Sequence, residues 1–295
     1  MPNNKTVRVP HLGGIDAAYQ MPQPYDSTKP TVVLVNSFTT SSELYCTQYD
    51  DKKLTDSMNL LSIELLGHGQ TRTSREQWTY WDTAEMNLQV LDALGIDKAF
   101  VLGTSQGGWI TVEMALLRPD KILGIIPLGT SLDSESERTR QLGCWGGPRL
   151  LGPFVKQWTA DEPTPDFEPG DDFCGALISS GFNDCSTEVS DFWRATIKEN
   201  YRGDEGRRRI RMATINLAER NGLHLRLPDV RCPVLWLHGT ADAVYTVANA
   251  KEEIGLFTRS PDAQLVTVDG GAHFLSCTHP EAVDKALLEF VNKHK

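Results

Sequence analysis

Gly103-Thr104-Ser105-Gln106-Gly107 sets a serine between two glycines, directly after the apolar run Ala99-Phe100-Val101-Leu102 and before the segment Gly108 to Ala115. A G-x-S-x-G pentapeptide between a strand and a helix predicts a strained turn that lifts the serine hydroxyl above a sheet edge, where it can attack a carbonyl. In so tight a turn a Cβ at Gly103 or Gly107 would collide with backbone. A serine hydroxyl is a poor nucleophile at neutral pH. It needs a base to take its proton and a carboxylate to orient that base. On a turn of this kind the partners are expected in the order serine, acid, histidine. After Val234-Leu235-Trp236-Leu237 the chain reads His238-Gly239-Thr240-Ala241-Asp242, and after the next apolar run it reads Val268-Asp269-Gly270-Gly271-Ala272-His273. His273, in a glycine-rich loop able to reach over the serine, is the expected base. Asp242 is the preferred acid, with Asp133, which follows the strand before a long insertion, as a second candidate. The remaining histidines (His11, His68, His224, His238, His279 and His294) read as structural or exposed.

A tetrahedral intermediate formed by such an attack carries a negative oxygen that needs donors fixed in advance. The turn supplies one, the backbone N–H of Gln106 at a helix N-terminus. The second is expected from the loop after Val33-Leu34-Val35. There the sequence runs Asn36-Ser37-Phe38-Thr39-Thr40, and the backbone N–H of Phe38 is the candidate.

These groups meet only if several strands end side by side. Thr31 to Val35, Leu60 to Ile63, Ala99 to Leu102, Ile122 to Leu128, Val234 to Leu237 and Gln264 to Val268 are short, continuous apolar runs of the kind that parallel strands buried on both faces show. Helical stretches are expected at Glu43 to Met58, Thr83 to Leu94, Gly107 to Leu117, Val247 to Leu256 and Pro280 to His294. Two shorter β pieces, Thr6 to Pro10 and Ile15 to Gln20, precede them, joined at Gly13-Gly14 as a hairpin would be. The alternation predicts an α/β protein with a doubly wound, mostly parallel sheet and its site at the carboxyl ends of the strands. Residues 131–228 break the alternation and read as a helical cap inserted into a core made of residues 1–130 and 229–295. Trp145, Trp158, Phe173, Phe182 and Trp193 are the cap's candidates to line a substrate pocket, although packing inside the cap is the commoner role for each alone. Asn36, Ser37 and Trp109 are the core's candidates for that wall.

Composition narrows the classes. The chain has 295 residues, 40% of them hydrophobic, and a formal net charge of -10. That is enough for a sizeable core, and the charge argues against nucleic acid or an anionic membrane as partner. The basic run Arg207 to Arg211 is the local exception and reads as a solvated helix face balanced by Asp204 and Glu205. Six cysteines lie without a C-x-x-C pair or metal-ligand spacing, which predicts reduced, mostly buried thiols and no metal site. No secretory pattern or membrane-length apolar run is present, so a cytoplasmic location is expected.

In order and at these separations, the strand before Asn36, the Gly67-His68-Gly69 loop, the serine turn, the H-G-x-x-D turn at Asp242 and the loop at His273 resemble the α/β-hydrolase superfamily over nearly the whole chain. Most relatives carry His-Gly where this chain has Asn36-Ser37, and in that it is similar to the enol-lactonases. The Gly-Thr-Ser-Gln-Gly-Gly-Trp turn and Leu128-Gly129-Thr130-Ser131 resemble hydrolases of fungal toxin and polyketide pathways. Serine at position 105 disfavours epoxide hydrolases and haloalkane dehalogenases, which use a carboxylate there. The resemblance implies an α/β-hydrolase fold and a cofactor-free serine esterase or lactonase acting on a small, largely apolar molecule, such as a secondary metabolite. Two rivals share these residues. One is a biosynthetic acyl transferase or cyclase, and the other is a ligand-binding receptor with little turnover. Oligomeric state is unspecified.

Overall fold

In the computed structural model, which describes residues 4–295, the chain opens with two antiparallel strands, β1 (Lys5–Val9) and β2 (Ile15–Gln20), joined through a 3-10 turn at His11–Gly13. Strand β3 (Thr31–Val35) follows, then a 3-10 turn at Ser42–Tyr45 and two short helices, α1 (Cys46–Asp50) and α2 (Lys52–Ser57). The single helix expected over Glu43 to Met58 is thus broken. Asp51 adopts an extended backbone and caps α2, its carboxylate accepting from the N–H groups of Lys53 and Leu54. Next come β4 (Asn59–Ile63), the two-residue β5 (Arg72–Thr73) and α3 (Tyr80–Ala93), which starts on a capping box of Thr79 and Asp82. Then β6 (Ala99–Thr104), α4 (Gln106–Leu117) and β7 (Ile122–Leu128) alternate as the sequence predicts.

Between β7 and the next strand lie five helices: α5 (Glu137–Gln141), α6 (Gly147–Gln157), α7 (Asp171–Phe182), α8 (Thr187–Asn200) and α9 (Gly203–Glu219). The alternation then resumes with β8 (Val234–Gly239), α10 (Val247–Ile254), β9 (Ala263–Val268), α11 (Leu275–Thr278) and α12 (Pro280–His294).

The strands form one sheet in the order β1-β2-β4-β3-β6-β7-β8-β9, with β5 paired to β2. All pairings from β4 through β3, β6, β7 and β8 to β9 are parallel, and β1, β2 and β5 pair antiparallel. Every residue of β3, β4, β6 and β8 is buried, because apolar clusters cover the sheet on both faces. β9 departs from that expectation. It is the edge strand and its residues alternate in exposure, Val266 being 38% exposed. A third cluster sits among α6 to α9 and takes in Phe38 from the loop after β3, so the helical insertion packs directly over the strand ends. Of the cysteines, Cys144 and Cys174 are buried, Cys46 is exposed and three are half-buried, fewer under cover than composition predicts. Among the described residues no helix is long and apolar enough to cross a membrane.

Helix α12 is fastened to the segment after β9 by one buried amide. Gln48 donates to Ser276 O at 3.1 Å and to Asp284 Oδ1 at 2.8 Å. Burial pushes the Asp284 carboxyl from 3.8 up to about 6, against the pull of the Gln48 hydrogen bond. Between those values the native state holds a proton that the unfolded chain has released. The stability contributed here is therefore full below pH 3.8 and is lost as pH rises to about 6. Asp284→Asn keeps an acceptor for Gln48 and is expected to add about 1–3 kcal/mol at pH 7.5, with little gain at pH 3.5. Urea denaturation at the two pH values checks this, and a variant no more stable than wild type at pH 7.5 sinks it.

Candidate active site

Ser105 lies between β6 and α4 at φ 54, ψ -112, a backbone conformation that residues other than glycine rarely hold. Hydrogen bonds over-determine it. Its N–H donates to Leu128 O at 2.8 Å, and its carbonyl accepts from Gly108 N–H at 2.9 Å and from the Thr130 hydroxyl at 2.8 Å. The flanking glycines make the turn sterically feasible. A Cβ at Gly103 would overlap the Gly107 carbonyl, and one at Gly107 would overlap Val35 O.

The loops after β8 and β9 bring Asp242 and His273 together, with His273 Nδ1 2.9 Å from Asp242 Oδ2 and both side chains almost fully buried. The other carboxylate oxygen accepts from the N–H groups of Val244 and Tyr245 at 2.8 and 2.9 Å. Burial alone pushes the Asp242 carboxyl up. The charge and hydrogen bond of His273, the nearby His238 ring and the Tyr245 N–H outweigh it and leave the group below its ordinary value. A charged Asp242 fixes the tautomer in which His273 Nδ1 carries the proton, so that Nε2 presents a lone pair. Asp133 takes no part. Its carboxylate accepts from Ser134 N–H and the Ser136 hydroxyl at the start of the helical insertion. His238 is buried beneath the acid, its Nε2 3.0 Å from Tyr245 O and 3.5 Å from Asp242 Oδ2. His68 is buried between Phe38 and Tyr201, where burial pushes its pKa down to about 4.

Ser105 and His273 share the wall of one cavity, and among the described residues no hydrogen bond joins their side chains. Phe38 lines it too. Among the described residues no acceptor meets the backbone N–H of Phe38 or of Gln106. The loop bearing Phe38 is held from within: Ser37 N–H donates to Thr40 Oγ1 at 2.9 Å, and Asn36 donates to Thr40 O while accepting from Leu65 N–H. Of the expected wall residues, Ser37, Trp145, Phe182 and Trp193 line the cavity, while Phe173 packs inside the helical insertion. Asn36 does not, because its amide is spent bracing that loop. Trp109 is also off the wall; it packs in the core against Tyr80, with the Arg220 guanidinium 4.7 Å over its ring. Trp158 is buried inside the helical insertion against Phe154 and Phe173. The wall also uses residues that sequence reading passed over: Ile178, Ile197, Val244, Tyr245 and Phe274 among them. The i, i+4 apolar pairs Ile178–Phe182 on α7 and Trp193–Ile197 on α8 carry a helical-face signal that points to part of this set.

Trp145 is fixed by a buried ion pair. Arg220 Nη1 lies 2.7 Å from Glu135 Oε1, with side-chain exposures of 3% and 4%, and Glu135 also accepts from the Trp145 indole N–H at 3.2 Å. Arg220 further donates to Leu217 O and faces the Tyr245 ring. One charge pair thereby joins the two ends of the insertion to the wall next to His273.

Residues 30–280 match the family model described as the alpha/beta hydrolase fold. The chain is 22% identical over 266 residues to the dihydrolipoyllysine-residue acetyltransferase component of the acetoin cleaving system of Pseudomonas putida, covering 89% of this chain but only 64% of that protein. It is 27% identical over 236 residues to the pimeloyl-[acyl-carrier protein] methyl ester esterase of Aromatoleum aromaticum, covering 74% of this chain and 81% of that one. The crystal structure of the enol-lactonase from Burkholderia xenovorans LB400 superposes with a TM-score of 0.78 at 19% identity, over 97% of this chain and 100% of that one.

Glu135→Ala leaves the Arg220 charge buried without its carboxylate and is expected to cost about 3–5 kcal/mol. Denaturation of the variant checks this, and a loss below about 1 kcal/mol means that the pair does not hold the wall.

Proposed function

We propose, for a chain that belongs to the alpha/beta hydrolase fold family, that it is a serine hydrolase cleaving an ester or lactone bond in a small, largely apolar, uncharged molecule. The observation that carries the reading is the convergence on one cavity of Ser105, Phe38 and His273 backed by Asp242, with the backbone N–H groups of Phe38 and Gln106 lacking acceptors among the described residues. Ser105 Oγ attacks the carbonyl carbon as His273 Nε2 takes its proton, and the charge of Asp242 stabilises the imidazolium. The N–H groups of Phe38 and Gln106 receive the oxyanion, helped by the positive end of α4. Collapse of the intermediate breaks the bond to the leaving oxygen, which takes the proton from His273 and leaves an acyl-serine. His273 then takes a proton from water, whose oxygen attacks the acyl carbon, and returns it to Ser105 Oγ as the acid departs.

Residues 131–228 act in this reading as a cap that supplies half of the residues of the substrate wall. The cavity favours an uncharged acyl group because, among the described residues, no Lys, Arg, Asp or Glu lines it. A carboxylate carried into such a wall loses its hydration without gaining a partner.

Ser105→Ala is expected to fold as wild type and to lose at least about 10^3-fold in kcat/KM on p-nitrophenyl hexanoate. A folded variant with near-normal turnover ends the reading. On the wild type, kcat/KM for the hexanoyl ester is expected to exceed that for the mono-p-nitrophenyl ester of adipic acid by at least about 30-fold, the equivalent of about 2 kcal/mol of uncompensated desolvation. Equal rates count against an uncharged substrate.

A further inference from the structure

We propose that the C-terminal turn of α7, through Gly181 and Asn183, positions the two loops that carry Asp242 and His273, so that the helix covering the cavity also holds the proton-transfer pair; this rests on the reading of Ser105, His273 and Asp242 as the catalytic set. Two hydrogen bonds make the attachment. The peptide N–H of Phe274, the residue after His273, donates to Gly181 O at 2.8 Å, and the Asn183 side chain donates to Ala241 O, the residue before Asp242, at 2.9 Å. A single turn of helix is thereby bound to a neighbour of the base and to a neighbour of the acid.

Packing follows the same path. A Cβ on Gly181 would overlap the Phe274 ring, which sits edge-on to Phe182 at 5.1 Å and against the His273 ring at 5.3 Å. Glycine at position 181 therefore lets Phe274 stand between the helix and the imidazole. Asn183 is held at φ 56, ψ -122, nearly the angles of Ser105 and a conformation favouring glycine. An asparagine retained there at a conformational cost marks its side-chain bond to Ala241 as the gain that offsets it. Gly181 and Asn183 are positioning residues; neither carries a reacting group.

Asn183→Gly removes the bond to Ala241 while relieving the backbone. It is expected to keep the melting temperature of wild type or exceed it, yet to lower kcat for p-nitrophenyl hexanoate about tenfold with KM within about threefold. A merely structural residue would lose activity and stability together. Gly181→Ala is expected to lower kcat at least as far, and adding Phe274→Leu, which makes room for the methyl, is expected to restore it to within about threefold of Phe274→Leu alone. Proton NMR gives a readout independent of turnover. The low-field His273 Nδ1–H resonance, assigned by its loss in His273→Ala, is expected to shift or broaden in Asn183→Gly and Gly181→Ala. A wild type that hydrolyses no ester defeats the hydrolase reading and leaves that resonance to decide the coupling. A resonance unchanged in both folded variants overturns it.

Discussion

At Gly103 and Gly107 the backbones of β6, α4 and the segment after β3 approach until a single Cβ would overlap a carbonyl oxygen. This close approach forces Ser105 into its positive-φ turn, and it also sets where the N-terminus of α4 lies relative to the loop after β3. The N–H groups of Gln106 and Phe38 come from opposite sides of that contact. Their separation is thus set by backbone packing together with the Asn36 and Thr40 side chains that brace the loop after β3. The loops after β8 and β9 are held to the same frame, since a Cβ on Gly129, just after β7, would meet both Asp242 and His273.

Ser105, Asp242 and His273 were legible as a set because each follows an apolar strand within a few residues, and strand ends are where a parallel sheet gathers its loops. A short motif survives translation from one dimension to three when the element carrying it is local. The tryptophans fail that condition. Trp109 and Trp145 look alike in sequence, yet Trp109 sits on the core face of α4 while Trp145 is turned to the cavity by a carboxylate ten residues before it and a guanidinium seventy-five residues after it. Only the folded chain brings those groups together. The break in the helix at Asp51 was readable in principle, since an acidic residue followed by Lys52-Lys53-Leu54 is a serviceable N-cap, but the apolar periodicity on either side of it favours one continuous helix. β9 was read correctly as a strand and wrongly as a buried one, because apolar content does not reveal that no further strand follows it at the edge.

The Arg220–Glu135 pair performs for the insertion what the glycines perform for the sheet. It lies under cover, where losing one partner strands a charge, so it admits few alternative arrangements of the chain ends it joins. Residues 135 and 220 stand near the departure and return of the insertion, and His224 repeats the pattern nearby through its 2.9 Å contact with Glu253 on α10. The helices over the strand ends are therefore anchored at their roots by charge and along their undersides by the aromatic cluster around Phe38 and Phe173.

The two helices that supply most of the insertion's share of the wall are unequally attached. α7 is hydrogen-bonded at its C-terminal turn to the segments beside Asp242 and His273, whereas α8 contributes Trp193 and Ile197 through side chains alone. For evolution or for a designer this divides the cavity into a conservative half and a permissive one. Replacements at Ile197 on α8 reshape the volume without touching either of the hydrogen bonds from α7, and a lineage changing its diet of molecules has an open route there. Along α7 each new side chain must also preserve the alignment of an imidazole it does not touch, so innovation on that side has to arrive in correlated pairs.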